Sequence, residues 1–172
     1  AIGAKSIAKE FICNQLAGEF DLDVPTAYLM NLEEENFLKT LTPVETDKLK
    51  DKHLGATYCS RVVNASLVTM ELRSPAFSIQ DCATLFAFDC LILNQDRGGH
   101  RKPNLLTDDD GFILIDHELT FHFMDSDDDD GAYNAIMSEF ANGTWPAMYT
   151  RHIFYSRLKH YGGSKKILYN TF

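Results

Sequence analysis

The sequence predicts an α+β domain, mainly helical with short β-hairpins, and three observations predict it. Ile7, Ala8, Phe11, Ile12 and Leu16 recur at helical spacing over residues 4–20. Two segments carry helix-start chemistry: Thr42-Pro43-Val44-Glu45, a capping box with proline at the first helical position, and Ser78-Ile79-Gln80-Asp81. Asp108-Asp109-Asp110-Gly111 separates the apolar runs Asn104–Thr107 and Phe112–Ile115, and an Asp-Gly turn between such runs is a hairpin signal.

The elements follow in order. The first helix breaks at Asp21 to Pro25, and Thr26–Leu32 read as a strand. The helix launched at Thr42 runs to about Lys52. Tyr58–Leu72 are rich in β-branched residues and are expected to be extended in part. Cys82–Leu93, apolar almost all round, form a buried helix that delivers the chain into the polar loop Asn94–Pro103. Beyond the hairpin, Asp125–Asp130 form an acidic loop. Asn134–Ala141 and Arg151–Tyr161 read as helices, the last closed by Gly162-Gly163. With no internal repeat and no shift in composition, residues 1–172 read as one domain.

Composition excludes several classes. With 45% hydrophobic residues the chain has enough apolar surface for a core. A net charge of −9 argues against nucleic acid or an anionic membrane as partner, because phosphate binding needs clustered cations. Cys13, Cys59, Cys82 and Cys90 form no C-x-x-C pair and read as buried reduced thiols. No long apolar run or signal-peptide pattern occurs, so the expected location is cytoplasmic. Zinc-hydrolase histidine spacing is absent. The acidic run fails as a calcium loop, since counting from Asp125 puts Asp130 where glycine is required and Ile136 where glutamate is required. Trp145 and the aromatics of 149–161 read as core or partner face.

Asp96, Asn104 and Asp116 remain. Phosphoryl transfer needs a carboxylate to receive the hydroxyl proton, with an amide and a second carboxylate to hold magnesium on the phosphates of ATP. Asn104 opens the first strand of the hairpin and Asp116 leaves the second, so the two can face each other across the ladder, while Asp96 follows a rigid helix. Asp89, a carboxylate inside an apolar helix, is expected to accept hydrogen bonds from the loop around Asn94–Arg97. His117 and Glu118 directly follow the ligand candidate Asp116.

Phe86-Ala87-Phe88-Asp89-Cys90-Leu91-Ile92-Leu93-Asn94-Gln95-Asp96-Arg97, Pro103-Asn104-Leu105-Leu106 and Leu114-Ile115-Asp116-His117-Glu118 together resemble the catalytic segment of HipA-like kinases, and more distantly the phosphoinositide kinases. Weaker similarity extends outward through Lys9-Glu10-Phe11-Ile12, Leu22-Asp23-Val24-Pro25, Leu54-Gly55-Ala56 and His152-Ile153-Phe154-Tyr155. The resemblance implies a kinase-like catalytic lobe that uses ATP and Mg²⁺. Asp96, with Arg97 beside it, would be catalytic, Asn104 and Asp116 would hold Mg²⁺, and Glu10 would pair with an ATP-binding lysine. The acceptor would be a hydroxyl on a protein, preferably serine or threonine, or on a small molecule. The resemblance also places a glycine-rich loop and a strand lysine upstream of Ala1; Lys5 and Lys9 lie on the first helix and do not replace that lysine. Gly98, Gly99 and His100 lengthen the loop relative to the family pattern. Two other readings stand beside the kinase: a kinase-like binding or regulatory module without catalysis, and a metal-dependent phosphoesterase built on the acidic clusters.

Overall fold

A computed structural model describes residues 3–50, 55–68, 77–98, 102–108, 111–125 and 130–160. Expectations placed on residues 51–54, 69–72, Gly99, His100, Asp109, Asp110, residues 126–129 and residues 161–163 lie outside the described residues.

The first helix, α1, spans Ala4–Glu19 and turns Lys9, Glu10, Cys13, Asn14 and Ala17 inward. Helical periodicity predicts the helix correctly but not its buried side, because Phe11 and Ile12 are exposed. The polar groups that face inward have partners there: Lys9 bonds Asp125, Glu10 accepts from the His117 backbone, and Asn14 donates to the Pro25 carbonyl. The helix closes where the Phe20 and Leu22 amides both return to the Ala17 carbonyl, with Asp21 left-handed at φ 53° between them.

Strand β1 (Ala27–Asn31) pairs antiparallel with β2 (Ala56–Ser60), Ala27 opposite Ser60 and Asn31 opposite Ala56. Two short helices fall between them. The sequence did not announce α2 (Glu35–Leu38). In α3 (Pro43–Leu49) the Thr42–Glu45 capping box is complete. A second sheet has the order β3-β4-β5, with β3 at Ser66–Leu67, β4 at Leu105–Thr107 and β5 at Phe112–Leu114. Its β4–β5 hairpin pairs Leu105 with Leu114 and Thr107 with Phe112. The chain leaving α1 anchors on it, since the Leu114 amide donates to the Asp23 carbonyl at 2.8 Å.

The next helix, α4 (Ile79–Leu91), is the centre of the molecule. Ser78 and Asp81 cap it reciprocally, and Cys82, Ala83, Leu85, Phe86, Ala87, Phe88, Asp89 and Cys90 are all buried. A helix apolar almost all round has to be enclosed over most of its surface, and here its neighbours supply the rings, with Leu91 left half-exposed at its end. Phe88 meets Phe20 at 5.6 Å, while Phe86 lies edge-on to Trp145 at 5.0 Å and to His152 at 4.8 Å.

The last elements among the described residues are α5 (Asp130–Ala141), a 3-10 turn at Ala147–Arg151 and α6 (Tyr155–Leu158). The single helix expected over 151–161 is broken, because His152 is extended (φ −58°, ψ 141°) and pairs with Gly98 in an antiparallel bridge. Tertiary pairing overrides local propensity at that residue. Among the described residues no helix is long and apolar enough to cross a membrane. All four cysteines are free thiols. Burial pushes Cys13 up to about 12 and Cys82 up to about 11, so neither is a thiolate at neutral pH.

Phe86 joins α4 to the C-terminal segment, so Phe86→Ala should destabilise the fold by about 3–5 kcal/mol. Urea unfolding followed through the fluorescence of Trp145, the only tryptophan, checks this. A loss below about 1 kcal/mol would contradict the packing described.

Candidate active site

The loop that carries Asp96 starts from a rigid helix and is tied down at each step. Leu93 turns the chain in the left-handed region at φ 55°, and the Asn94 amide donates back to the Asp89 carbonyl at 2.8 Å. The Asn94 side chain then works in both directions. Its Nδ2 donates to Asp89 Oδ1 at 2.9 Å, and its Oδ1 accepts the Asp96 amide at 3.0 Å. The backbone of Asp96 is thereby fixed, while its side chain stays partly open to solvent.

The hairpin brings the other two residues to the same place. The Ile115 amide donates to the Asn104 carbonyl, extending the ladder by one step, so Asn104 and Asp116 stand at its open end. Asn104 Nδ2 donates to Asp96 Oδ2 at 3.1 Å. Asn104 and Asp116 both adopt left-handed backbone, φ 48° and 61°. Asn and Asp tolerate that conformation better than other non-glycine residues, though it still costs about 1–3 kcal/mol each. The Asp116 carboxyl is raised above its ordinary value, first by partial burial and then by the negative charges of Glu10 and Asp96. Three carboxylates therefore share one electrostatic neighbourhood.

Beneath this surface lies Arg97, whose side chain is 0% exposed. Its Nε donates to Asp89 Oδ2 at 3.0 Å and its Nη2 to Asp89 Oδ1 at 3.1 Å, a bidentate pair. Its Nη1 donates to the carbonyls of Asn104 and Ile115, holding the open end of the hairpin. Nη2 also lies 3.4 Å from His117 Nε2. A guanidinium only donates, so that nitrogen accepts, and the His117 proton sits on Nδ1, 3.7 Å from Glu10 Oε2. Asp89 gains a further donor from His152 Nε2 at 2.9 Å. Burial pushes the Asp89 carboxyl up, but the Arg97 charge and the His152 hydrogen bond outweigh it and hold the group well below the usual carboxylate range. The expected contacts from Asp89 to the Asn94–Arg97 loop are present.

Glu10 reaches the same corner from α1, its Oε1 accepting the His117 amide at 2.8 Å beside Asp116. Its neighbour Lys9 is buried and committed to Asp125 at 2.5 Å. The turn after His117 is closed by Thr120, whose hydroxyl donates to the His117 carbonyl and contacts the Cys13 sulfur.

Among the described residues no group of three or more His, Cys, Asp or Glu side chains forms a metal cage. The donor set present nevertheless fits Mg²⁺, which takes few protein ligands and keeps phosphate oxygens and waters. Asn104 turns its Nδ2 to Asp96 and so has its amide oxygen to offer, and Asp116 is a partly buried carboxyl beside the charges of Glu10 and Asp96, where a cation would favour its ionised form. Asn94 belongs to the loop from which donors to Asp89 are expected, whereas the sequence reading does not single out His152 as a site-building residue. The signal for Asn94 was the buried charge of Asp89, which demands donors nearby. His152 lies 63 positions from Asp89 and carries no such local signal.

The helices and small antiparallel sheets form an α+β kinase-like fold. A family model for HipA-like kinases matches residues 1–164, and the chain belongs to that family. Neither the curated proteins nor the solved structures give a match.

Two measurements test the buried layer. Arg97→Leu strands the Asp89 charge and should cost about 3–5 kcal/mol in urea unfolding; a near-neutral change would show that Asp89 does not depend on it. The second concerns pH. Burial lowers the His152 imidazole more than its hydrogen bond to Asp89 raises it. The unfolded chain, with its histidine near about 6.5, then takes up a proton before the folded chain does. The contribution of His152 is complete above that pH and is lost as pH falls toward the folded value. Thermal unfolding should show Tm falling as pH drops below about 6.5, with a shallower fall in His152→Gln. Identical slopes would remove His152 from the explanation.

Proposed function

We propose that the chain is an ATP- and Mg²⁺-dependent phosphotransferase acting on a hydroxyl, with Asp96 as catalytic base and Asn104 and Asp116 as Mg²⁺ ligands. The observation that carries the reading is the meeting of Asn104 with Asp96 at the open hairpin end, where Asp116 feels the charges of Asp96 and Glu10. Membership of the HipA-like kinase family supports it.

Bound Mg²⁺-ATP would supply the γ-phosphoryl group and a metal charge that stabilises the transferring oxygens. Asp96 receives the proton of the acceptor hydroxyl. Asn104 orients that carboxylate through Nδ2 and presents its amide oxygen to the metal, while Asp116 provides the ligating charge. Arg97, sealed beneath the loop, contacts no substrate and acts by holding Asp89, Asn104 and Ile115 in register. Glu10 holds the Asp116–His117 corner against α1 and is the carboxylate with which an ATP-binding lysine would pair. The acceptor is a serine or threonine hydroxyl on a protein, or a small-molecule hydroxyl, in the cytoplasm.

A second reading, a kinase-like binding module without catalysis, is favoured by one observation: Lys9, beside Glu10, is buried against Asp125 and does not offer itself to phosphate. Calorimetry with ATP and Mg²⁺ separates the two, because the kinase requires metal-dependent heat and a pure binding module should give none. Turnover is a second discriminator. Asp96→Ala should lower phosphotransfer by about 10²–10⁴-fold with nucleotide affinity largely kept. Unchanged turnover in the full-length protein would reject Asp96 as the base, and no turnover in the full-length parent would favour the module.

A further inference from the structure

We infer that His152 is a positioning residue for Asp96, the side chain through which the C-terminal segment sets the loop on which the proposed base stands. The inference takes from the phosphotransfer reading only the role of Asp96; the linkage itself stands on geometry.

The connection runs through two routes. The first is a chain of side chains. The Phe154 amide donates to His152 Nδ1 at 3.1 Å, so that nitrogen is unprotonated and the ring proton sits on Nε2. Nε2 donates to Asp89 Oδ2 at 2.9 Å. The other oxygen of that carboxylate takes Asn94 Nδ2, and Asn94 Oδ1 in turn takes the Asp96 amide. With both nitrogens of Arg97 included, Asp89 accepts from four donors, enough to fix the carboxylate in rotation as well as position.

The second route is backbone. The Ile153 amide donates to the Arg97 carbonyl at 2.9 Å, and Gly98 forms an antiparallel bridge with His152. Gly98 has φ +152°, and a Cβ there would collide with the Arg151 carbonyl oxygen and stand 2.7 Å from the Ile153 nitrogen. Only glycine lets the strand-like segment at 152–153 lie so close to the loop. The two residues that follow Asp96 are therefore clasped from outside, while Asn94 holds Asp96 from within. Misplacing a reacting group by about 1 Å can cost 10²-fold in rate, so the clasp bears directly on turnover.

The test uses the full chain and two variants. His152→Phe keeps an aromatic ring against Phe86 and removes both nitrogens; His152→Gln returns an amide donor. In His152→Phe the amides of Asp96 and Ile153 should exchange with solvent at least about tenfold faster while those of α4 and the β4–β5 hairpin stay within about threefold. Its kcat should fall about 10–100-fold with KM for ATP little changed, and His152→Gln should recover most of both losses. Unaltered exchange at Asp96 and Ile153, or acceleration spread equally through α4, would overturn the inference in favour of a purely structural role. Should His152→Phe fail to fold, imidazole nitrogen shifts of the parent chain decide instead. The Nε2–H tautomer supports the linkage, and an Nδ1–H or doubly protonated ring refutes it. If the full-length parent shows no turnover, the phosphotransfer reading fails by itself and the exchange pattern still decides His152.

Discussion

The ion pair between Asp89 and Arg97 is the interaction on which the rest of the site depends. Both side chains are fully buried, and neither charge would persist there alone. The desolvation cost is offset because every oxygen lone pair of Asp89 finds a donor and because Arg97 spends its remaining N–H groups on hairpin carbonyls and His117. Such a pair adds little net stability over an apolar replacement, but it admits few alternatives. The loop, the hairpin end and the C-terminal segment each supply a partner that no other arrangement would satisfy. Uniqueness of geometry is the property a reacting site needs.

The pair also carries a load. Leu93, Asn104, Asp116 and Phe121 all have positive φ, and all flank the open end of the hairpin or the loop before it. Strain of that kind persists only where surrounding contacts over-determine the backbone. Arg97 grips the Asn104 carbonyl, Glu10 and Thr120 grip His117, and the Phe121 amide returns to the Ile92 carbonyl at 2.9 Å. Burial of the Asp116 carboxyl, and then the negative charges of Glu10 and Asp96, disfavour its ionised form at the same spot, partly offset by His117 and Arg97. Both penalties are concentrated where three candidate site residues meet, which is the pattern of a site that gives up stability for function.

Helix α1 shows the same priority. A helix with apolar residues at regular spacing ordinarily buries them, yet Phe11 and Ile12 face solvent while Lys9, Glu10 and Asn14 are buried. The inward polar face is stable because each group meets a fixed partner: Asp125 for Lys9, the His117 amide for Glu10 and the Pro25 carbonyl for Asn14.

How much was legible follows from how local each constraint is. Capping boxes at Thr42 and Ser78, the hairpin around Gly111 and the enclosed helix through Phe86 are written in adjacent residues, because caps, turns and periodicity act over a few positions. The order Asp96, Asn104, Asp116 was readable for the same reason, and the lone carboxylate at Asp89 announced that donors must lie close by. What the residues could not declare was which donors: His152 from far along the chain, the tautomer of His117, the inward polar face of α1 and the break that leaves His152 extended instead of helical. Those outcomes depend on which distant groups share a dry interior. There an unpaired donor or charge costs more than any local propensity, so tertiary packing alone decides them.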